Sequence, residues 1–176
     1  IGEIMASNVI PSTLRVTIQE DITLNGLQQG STTTHTISSV SEIYKRVMTI
    51  PVNDGSIGAN DHVTILGTTA DSSTTIGPAN FIVGDLKYFR ITNLNTGSGE
   101  GILVQIAIDD NADDTDDHAA WILVEEGKSF IINTFDAAFD AAAGDLDAPT
   151  LDGITKIRVV NESASTPVDI EIFVAS

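Results

Sequence analysis

Val168, Ile170, Ile172 and Val174 alternate with Asp169, Glu171 and Phe173. A period of two is the signature of a strand, whose successive side chains point to opposite faces, and it fits no helix. The same period runs through Leu14, Val16 and Ile18, set against Arg15, Thr17 and Gln19. It recurs in Ile102, Val104, Ile106 and Ile108. Residue choice strengthens the pattern, since 23 Ile, 13 Val and 20 Thr stand among the 176 residues. Such β-branched side chains are stiff at χ1 and suit a pleated, half-buried surface.

Turn residues cut this pattern into short pieces. Ile22 and Leu24 lead to Asn25-Gly26, a hairpin-turn dipeptide. The threonine-rich run 31–39 reads as an edge strand, and 42–52 as a long strand ending near Pro51. Further strands are predicted at 63–66, 81–83, 88–93, 102–108, 120–124, 129–133, 154–161 and 168–175, with a polar loop over 68–75. Thr96 to Gly101 and Glu125 to Lys128 read as hairpin connections. One stretch departs from the pattern. Phe135 to Ala143 reads as a short helix, with Thr134 as N-cap, Gly144 as terminator, and Phe135 and Phe139 on one face. About ten strands with turns about every 8–12 residues predict an all-β fold, an antiparallel β-sandwich of jelly-roll type with one short helix. No linker or repeat divides the chain, so residues 12–176 are expected to form one domain, preceded by an arm over 1–11. That arm has no basic segment followed by an apolar one, so no secretion signal is read in it.

Charge excludes several functions. The chain carries 25 acidic and 8 basic residues, a formal net charge of −17. A nucleic-acid partner requires a basic surface that displaces counterions from phosphate, and eight scattered cations do not form one. An anionic membrane surface is disfavoured for the same reason, and no run approaches the ~20 apolar residues of a membrane helix. Dense negative charge suits acidic loops or a protein working in saline water, where the charge is screened. With no cysteine, disulfides, thiolate metal sites and cysteine nucleophiles are excluded.

His35, His62 and His118 have no partner at metal-ligand spacing, and no G-x-S-x-G elbow exists. Gly127-Lys128-Ser129 imitates the end of a P-loop, but Ile122 stands where its first glycine belongs and a strand follows. Gly97, Gly99 and Gly101 read as turn residues. Glu125 and Glu126 are adjacent, so on a strand they point apart and cannot flank one bond. Asn161-Glu162-Ser163 matches the glycosylation pattern. The richest polar run is Asp109 to Asp117. Asp109, Asn111 and Asp113 begin a calcium-loop pattern, but Asp114 replaces its glycine and Ala120 its bidentate glutamate. It reads as an exposed acidic loop that binds divalent cations weakly if at all. No catalytic, cofactor-binding or metal-ligating residue is assigned, no cofactor is expected, and the chain is not expected to be an enzyme.

The phrase V-T-I-Q-E-D-I-T-L-N-G within 14–27 resembles openings of small virion proteins of tailed bacteriophages, particularly marine and cyanophage-like ones. Y-F-R-I-T-N-L-N at 88–95 is similar to a segment recurring in them, followed by a strand like 102–108 and by W-I-L-V-E-E-G-K-S-F at 121–130. V-D-I-E-I-F-V-A at 168–175 is similar to their final strand. The resemblance spans most of 12–176 and rests on strand order and short phrases. It implies a jelly-roll-like sandwich that decorates, cements or otherwise builds a capsid, located in the virion, with no catalytic residues to carry over. Expected partners are other copies of the chain, a trimer favoured, and a major capsid or other virion protein. The arm 1–11 and the nearly neutral segments 8–11 and 68–83 are the expected contact surfaces, because −17 per chain repels copies elsewhere. The alternative is an extracellular carbohydrate-binding or adhesive β-sandwich module, calcium-dependent or not, with Trp121 as its platform.

Overall fold

The computed structural model describes residues 10–53, 62–67, 86–108, 118–133, 138–139 and 152–176. Among these residues every regular element is a strand. In chain order they are β1 (Ser12–Gln19), β2 (Thr23–Leu24), β3 (Leu27–Gln28), β4 (Thr32–Val40), β5 (Ile43–Ile50), β6 (Val63–Gly67) and β7 (Tyr88–Asn93). They continue as β8 (Ile102–Ile108), β9 (His118–Val124), β10 (Ser129–Ile132), β11 (Ala138–Phe139), β12 (Asp152–Asn161) and β13 (Val168–Ala175). Every pair with a described register is antiparallel. The chain divides into two compact units, Ile1–Ile43 and Tyr44–Ser176.

The larger unit holds two sheets. One runs β10-β7-β13-β5, and the other runs β11-β12-β8-β9, with β6 also paired to β12. Alternation decides which side chains turn inward. On β13, Val168, Ile170, Ile172 and Val174 are fully buried, while Asp169 is exposed and Glu171 partly so. Phe89 and Ile91 of β7, and Ile102, Val104 and Ile106 of β8, are likewise fully buried. These residues join Met48, Ile50, Ile65, Leu66, Val124, Ile157 and Val159 in one apolar cluster fed by both sheets. Each such side chain stabilises the fold by about 1.5–3 kcal/mol relative to exposure.

Connectivity differs from the expected hairpins. Leaving out the two-residue β11, the eight strands from β5 to β13 lie sixth, third, eighth, first in one sheet and second, seventh, fourth, fifth in the other. Thr96 to Gly101, between β7 and β8, therefore carries the chain from one sheet to the other. Glu125 to Lys128 does the same between β9 and β10. A short turn-rich link has the same composition whether it closes a hairpin or arches between sheets, so sequence pattern alone does not separate the two. The expected helix over 135–143 is also corrected where it is described. Ala138 and Phe139 are extended and pair with Gly153 and Asp152. The rest of that segment lies outside the described residues, as do the predicted strand at 81–83 and the Asp109–Asp117 loop.

Buried asparagines hold the arches. Asn93, at the end of β7, is fully buried; its Nδ2 donates to the carbonyls of Glu100 (2.8 Å) and Val124 (3.2 Å), and its Oδ1 accepts from the Asn95 amide. Asn161, at the end of β12, repeats the device. Its Oδ1 accepts from the Ser163 amide, and its Nδ2 donates to the Thr166 carbonyl. Each side chain thus satisfies backbone groups that the ladder leaves behind where the chain turns away from its sheet.

In the smaller unit, β1 and β4 form a two-stranded sheet, and β2 and β3 another. Backbone hydrogen bonds from Glu20 to Ser31 and from Gln29 to Ile22 join them into one long hairpin. Its tip is Asn25-Gly26, with φ of 53° and 79°. Two consecutive positive φ values are what a type I′ hairpin turn requires.

Candidate functional site

The hairpin 12–40 is the feature that the core does not explain. Paired residues share a face, so Leu14 and Ile37, Val16 and His35, and Ile18 and Thr33 make one side. Arg15 and Thr36, Thr17 and Thr34, and Gln19 and Thr32 make the other. The ribbon is therefore amphipathic, with an apolar stripe and a threonine face. Only Ile37 and Val40 within it are buried. Residues 17–29 and 31–36 are all exposed. Ile18 is 41% exposed, Leu24 59% and Leu27 66%, values typical of solvated polar residues rather than of an apolar stripe. A lone two-stranded hairpin is at best marginally stable in water.

Local chemistry still shapes the ribbon. Thr17 and Thr34 hydroxyls meet across it at 3.3 Å. Ser31 donates to the Glu20 carboxylate (2.9 Å), and Gln28 Nε2 to Asp21 (2.8 Å). At its base, Ser12 pairs with Val40 but Leu14 with Ile37, so β4 carries an extra residue there, and Ser39 adopts a positive φ of 58°. That is a β-bulge, which raises local twist. Gly30 is required by close approach: a Cβ there would lie 1.9 Å from the Glu20 carbonyl oxygen.

The face of the β8 sheet turned away from the apolar cluster is open at β9 and closed toward β12. Register places Arg158, Gln105 and Trp121 in one row across β12, β8 and β9, with Val160, Leu103 and Leu123 in the next. Gln105 and Val160 are buried, Arg158 and Leu103 half-buried, and Trp121 and Leu123 exposed. Arg158 Nη1 donates to Gln105 Oε1 at 3.2 Å. Trp121 is 42% exposed, and its ring lies 5.4 Å from that of His62, tilted by 56°.

The outer face of the other sheet is ionic. Glu171 on β13 bridges Lys45 (2.9 Å) on β5 and Arg90 on β7. The hydrogen bond from Lys45, then the positive charges of Lys45 and Arg90, outweigh partial burial and hold the Glu171 carboxyl below its ordinary range. Nearby, burial pushes the Tyr88 hydroxyl upward, partly offset by Arg90. The Tyr88 ring meets Phe173 edge-on at 5.7 Å.

The motifs weighed in the sequence resolve into architecture. His35 sits exposed on β4, His62 beside Trp121, and His118 begins β9. Glu126 accepts the Glu100 amide at 2.9 Å. That bond is the largest cause lowering its pKa and ties the two arches together. Gly99 and Gly127 have φ of 80° and 68°, as turn residues do. Asn161 is fully buried with its amide engaged, so the glycosylation pattern is closed in the folded chain. Residues 1–9 of the expected arm and the segment 68–83 lie outside the described residues. Among those described, no group of three or more His, Cys, Asp or Glu side chains is placed to hold a metal ion. Pattern reading passed over Asn93 and Asn161. It read 31–39 as an edge strand, and that run is β4; the stretch 31–41 contains no Asp, Glu, Lys or Arg.

No protein-family model, no curated protein and no solved structure matches the chain.

Proposed function

We propose that this chain is a non-enzymatic structural protein of a virus particle, of the tailed-bacteriophage kind, which decorates or cements the capsid through contacts with its own copies and with capsid protein. The observation that carries the reading is the ribbon 12–40, an amphipathic hairpin. Its apolar side chains are buried or half-buried near its base, at Leu14, Val16, Ile37 and Val40, and exposed toward its tip, at Ile18, Ile22, Leu24 and Leu27. Surfaces of that kind mark association sites. A jelly-roll sandwich is the proposed architecture. Supporting it, the first strand of the larger unit lies beside the eighth, the second beside the seventh, the third beside the sixth and the fourth beside the fifth. One long antiparallel hairpin wrapped into two sheets produces that pairing. Capsid proteins and lectins both use this architecture, so the fold alone does not choose between them. The phrases at 14–27, 88–95, 121–130 and 168–175 support the virion.

One observation favours a second reading, a carbohydrate-binding module. Half-exposed Trp121, next to His62 and in one row with Gln105 and Arg158, has the makings of a stacking platform with polar neighbours. Two measurements separate the readings. The full chain, added to purified particles, is expected to co-sediment with them in a density gradient and to bind nothing on a glycan array. Glycan binding lost in Trp121→Ala, with no particle association, would favour the second reading.

A further inference from the structure

We propose that β4 is an adhesive edge, and that it pairs antiparallel with β4 of a second copy across a two-fold axis, giving a continuous four-stranded sheet β1-β4-β4-β1. The proposal rests on the reading of this chain as a self-associating structural protein and names the surface that does it.

Three observations converge on this strand. First, among the described residues the ribbon is a sheet of two strands, so each of β1 and β4 has one neighbour there and one open edge. Open edges present unpaired N–H and C=O groups, and natural proteins blunt them with charge, proline, bulges or short length. β4 is nine residues long, its bulge sits at the base, and its exposed run Thr32–Thr36 contains no charge and no proline. The edge of β1 is blunted by comparison, since Pro11 precedes it and Arg15 lies within it.

Second, side chains at 32–36 are exposed on both faces, so nothing within the described chain covers that half of the strand. Its threonines and neighbouring Ile37 have high β-propensity, and Thr–Thr pairs across strands are favourable.

Third, charge admits a second copy at this strand. At −17 per chain, two copies repel over most of their surface. The run 31–41 has no Asp, Glu, Lys or Arg, so two copies can align there without placing like charges opposite one another. Antiparallel pairing of a strand with itself is self-complementary and closes as a dimer, the isologous contact of a two-fold axis. It also supplies the additional strands that a lone hairpin lacks. A two-fold contact implies a dimer or an assembly of dimers, in place of the trimer favoured by the sequence reading.

The test uses the full chain and two charge variants at the centre of the exposed run, Thr34→Glu and Thr34→Lys. Sedimentation velocity is expected to find the unmodified chain as a dimer, more so as salt screens repulsion. Each variant alone should be monomeric, with an unchanged far-ultraviolet spectrum. An equimolar mixture should recover the dimer, because Glu then faces Lys. An oligomer that neither variant dissociates, trimers included, overturns the β4 pairing and leaves the structural-protein reading standing on another surface. A monomer at every salt concentration that still joins particles overturns the choice of a second copy as partner. A monomer that joins no particle overturns both.

Discussion

The side-chain amide of Asn93 reaches the carbonyl of Val124, 3.2 Å away, and so ties the last residue of β7 to the last residue of β9 in the opposite sheet. The same nitrogen donates to the Glu100 carbonyl, and the side-chain oxygen accepts from Asn95. One buried side chain thereby satisfies three backbone groups at the place where two arches meet. Removing it takes a donor from the buried Val124 carbonyl and the partly buried Glu100 carbonyl, and an unmet buried group costs more than the net worth of the bond itself.

Asn93→Ala is therefore expected to lower stability by about 2–3 kcal/mol in urea unfolding. An unchanged urea midpoint would mean that water replaces the amide and that the arches hold without it.

Gly30→Ala addresses the ribbon alone. Its Cβ would collide with backbone rather than with a movable side chain, so β3 and β4 must shift at that point. Amide exchange in β1 and β4 should rise by more than about tenfold, the equivalent of 1.4 kcal/mol. The larger unit should keep its urea midpoint. If instead the whole chain loses stability in step, the ribbon belongs to the same cooperative unit as the sheets.

How much of this was legible in the sequence depends on what alternation encodes. It gave β7, β8 and β13 to the residue and named the inward faces, because a period of two specifies which side chains share a side. It does not specify what covers that side. Leu14, Val16 and Ile18 have the same pattern as Ile102, Val104 and Ile106, yet Ile18 is 41% exposed and Ile106 fully buried. Nor does alternation say which sheet receives the next strand, and so the arches at 96–101 and 125–128 looked like hairpins. Asn93 and Asn161 were readable in hindsight. Each ends an apolar alternation, and each is followed two residues later by a residue, Asn95 or Ser163, whose amide its side chain accepts.

Glu171 gives a pH dependence of known sign. Its pKa is lowered in the folded chain, first by the Lys45 hydrogen bond. The folded state therefore binds fewer protons than the unfolded state over the carboxylate range. The stabilisation is present above the unfolded value and is lost as pH falls through the lowered folded value. Lys45 is well exposed, so screening keeps the contribution small, under about 1 kcal/mol. Comparing the full chain with Glu171→Gln across pH isolates it. The stability gap should be present at neutral pH and close on acidification; a gap that persists at acid pH would assign the loss to packing.

Trp121 is the single tryptophan and therefore a clean reporter. Its half-exposed position predicts emission close to that of solvated indole and ready quenching by acrylamide. Trp121→Ala should change stability by less than about 1 kcal/mol and leave sedimentation unchanged. A large shift in oligomeric state would move the contact surface from the ribbon to the outer face of β9.

The central claim is that the chain builds a particle. Quantitative mass spectrometry of gradient-purified particles from the source culture tests it most directly. The account predicts many copies of this chain per particle, in a fixed ratio to the major capsid protein, as repeated symmetric contacts require. Particles that lack the chain, with the protein recovered only in the soluble fraction, would contradict it.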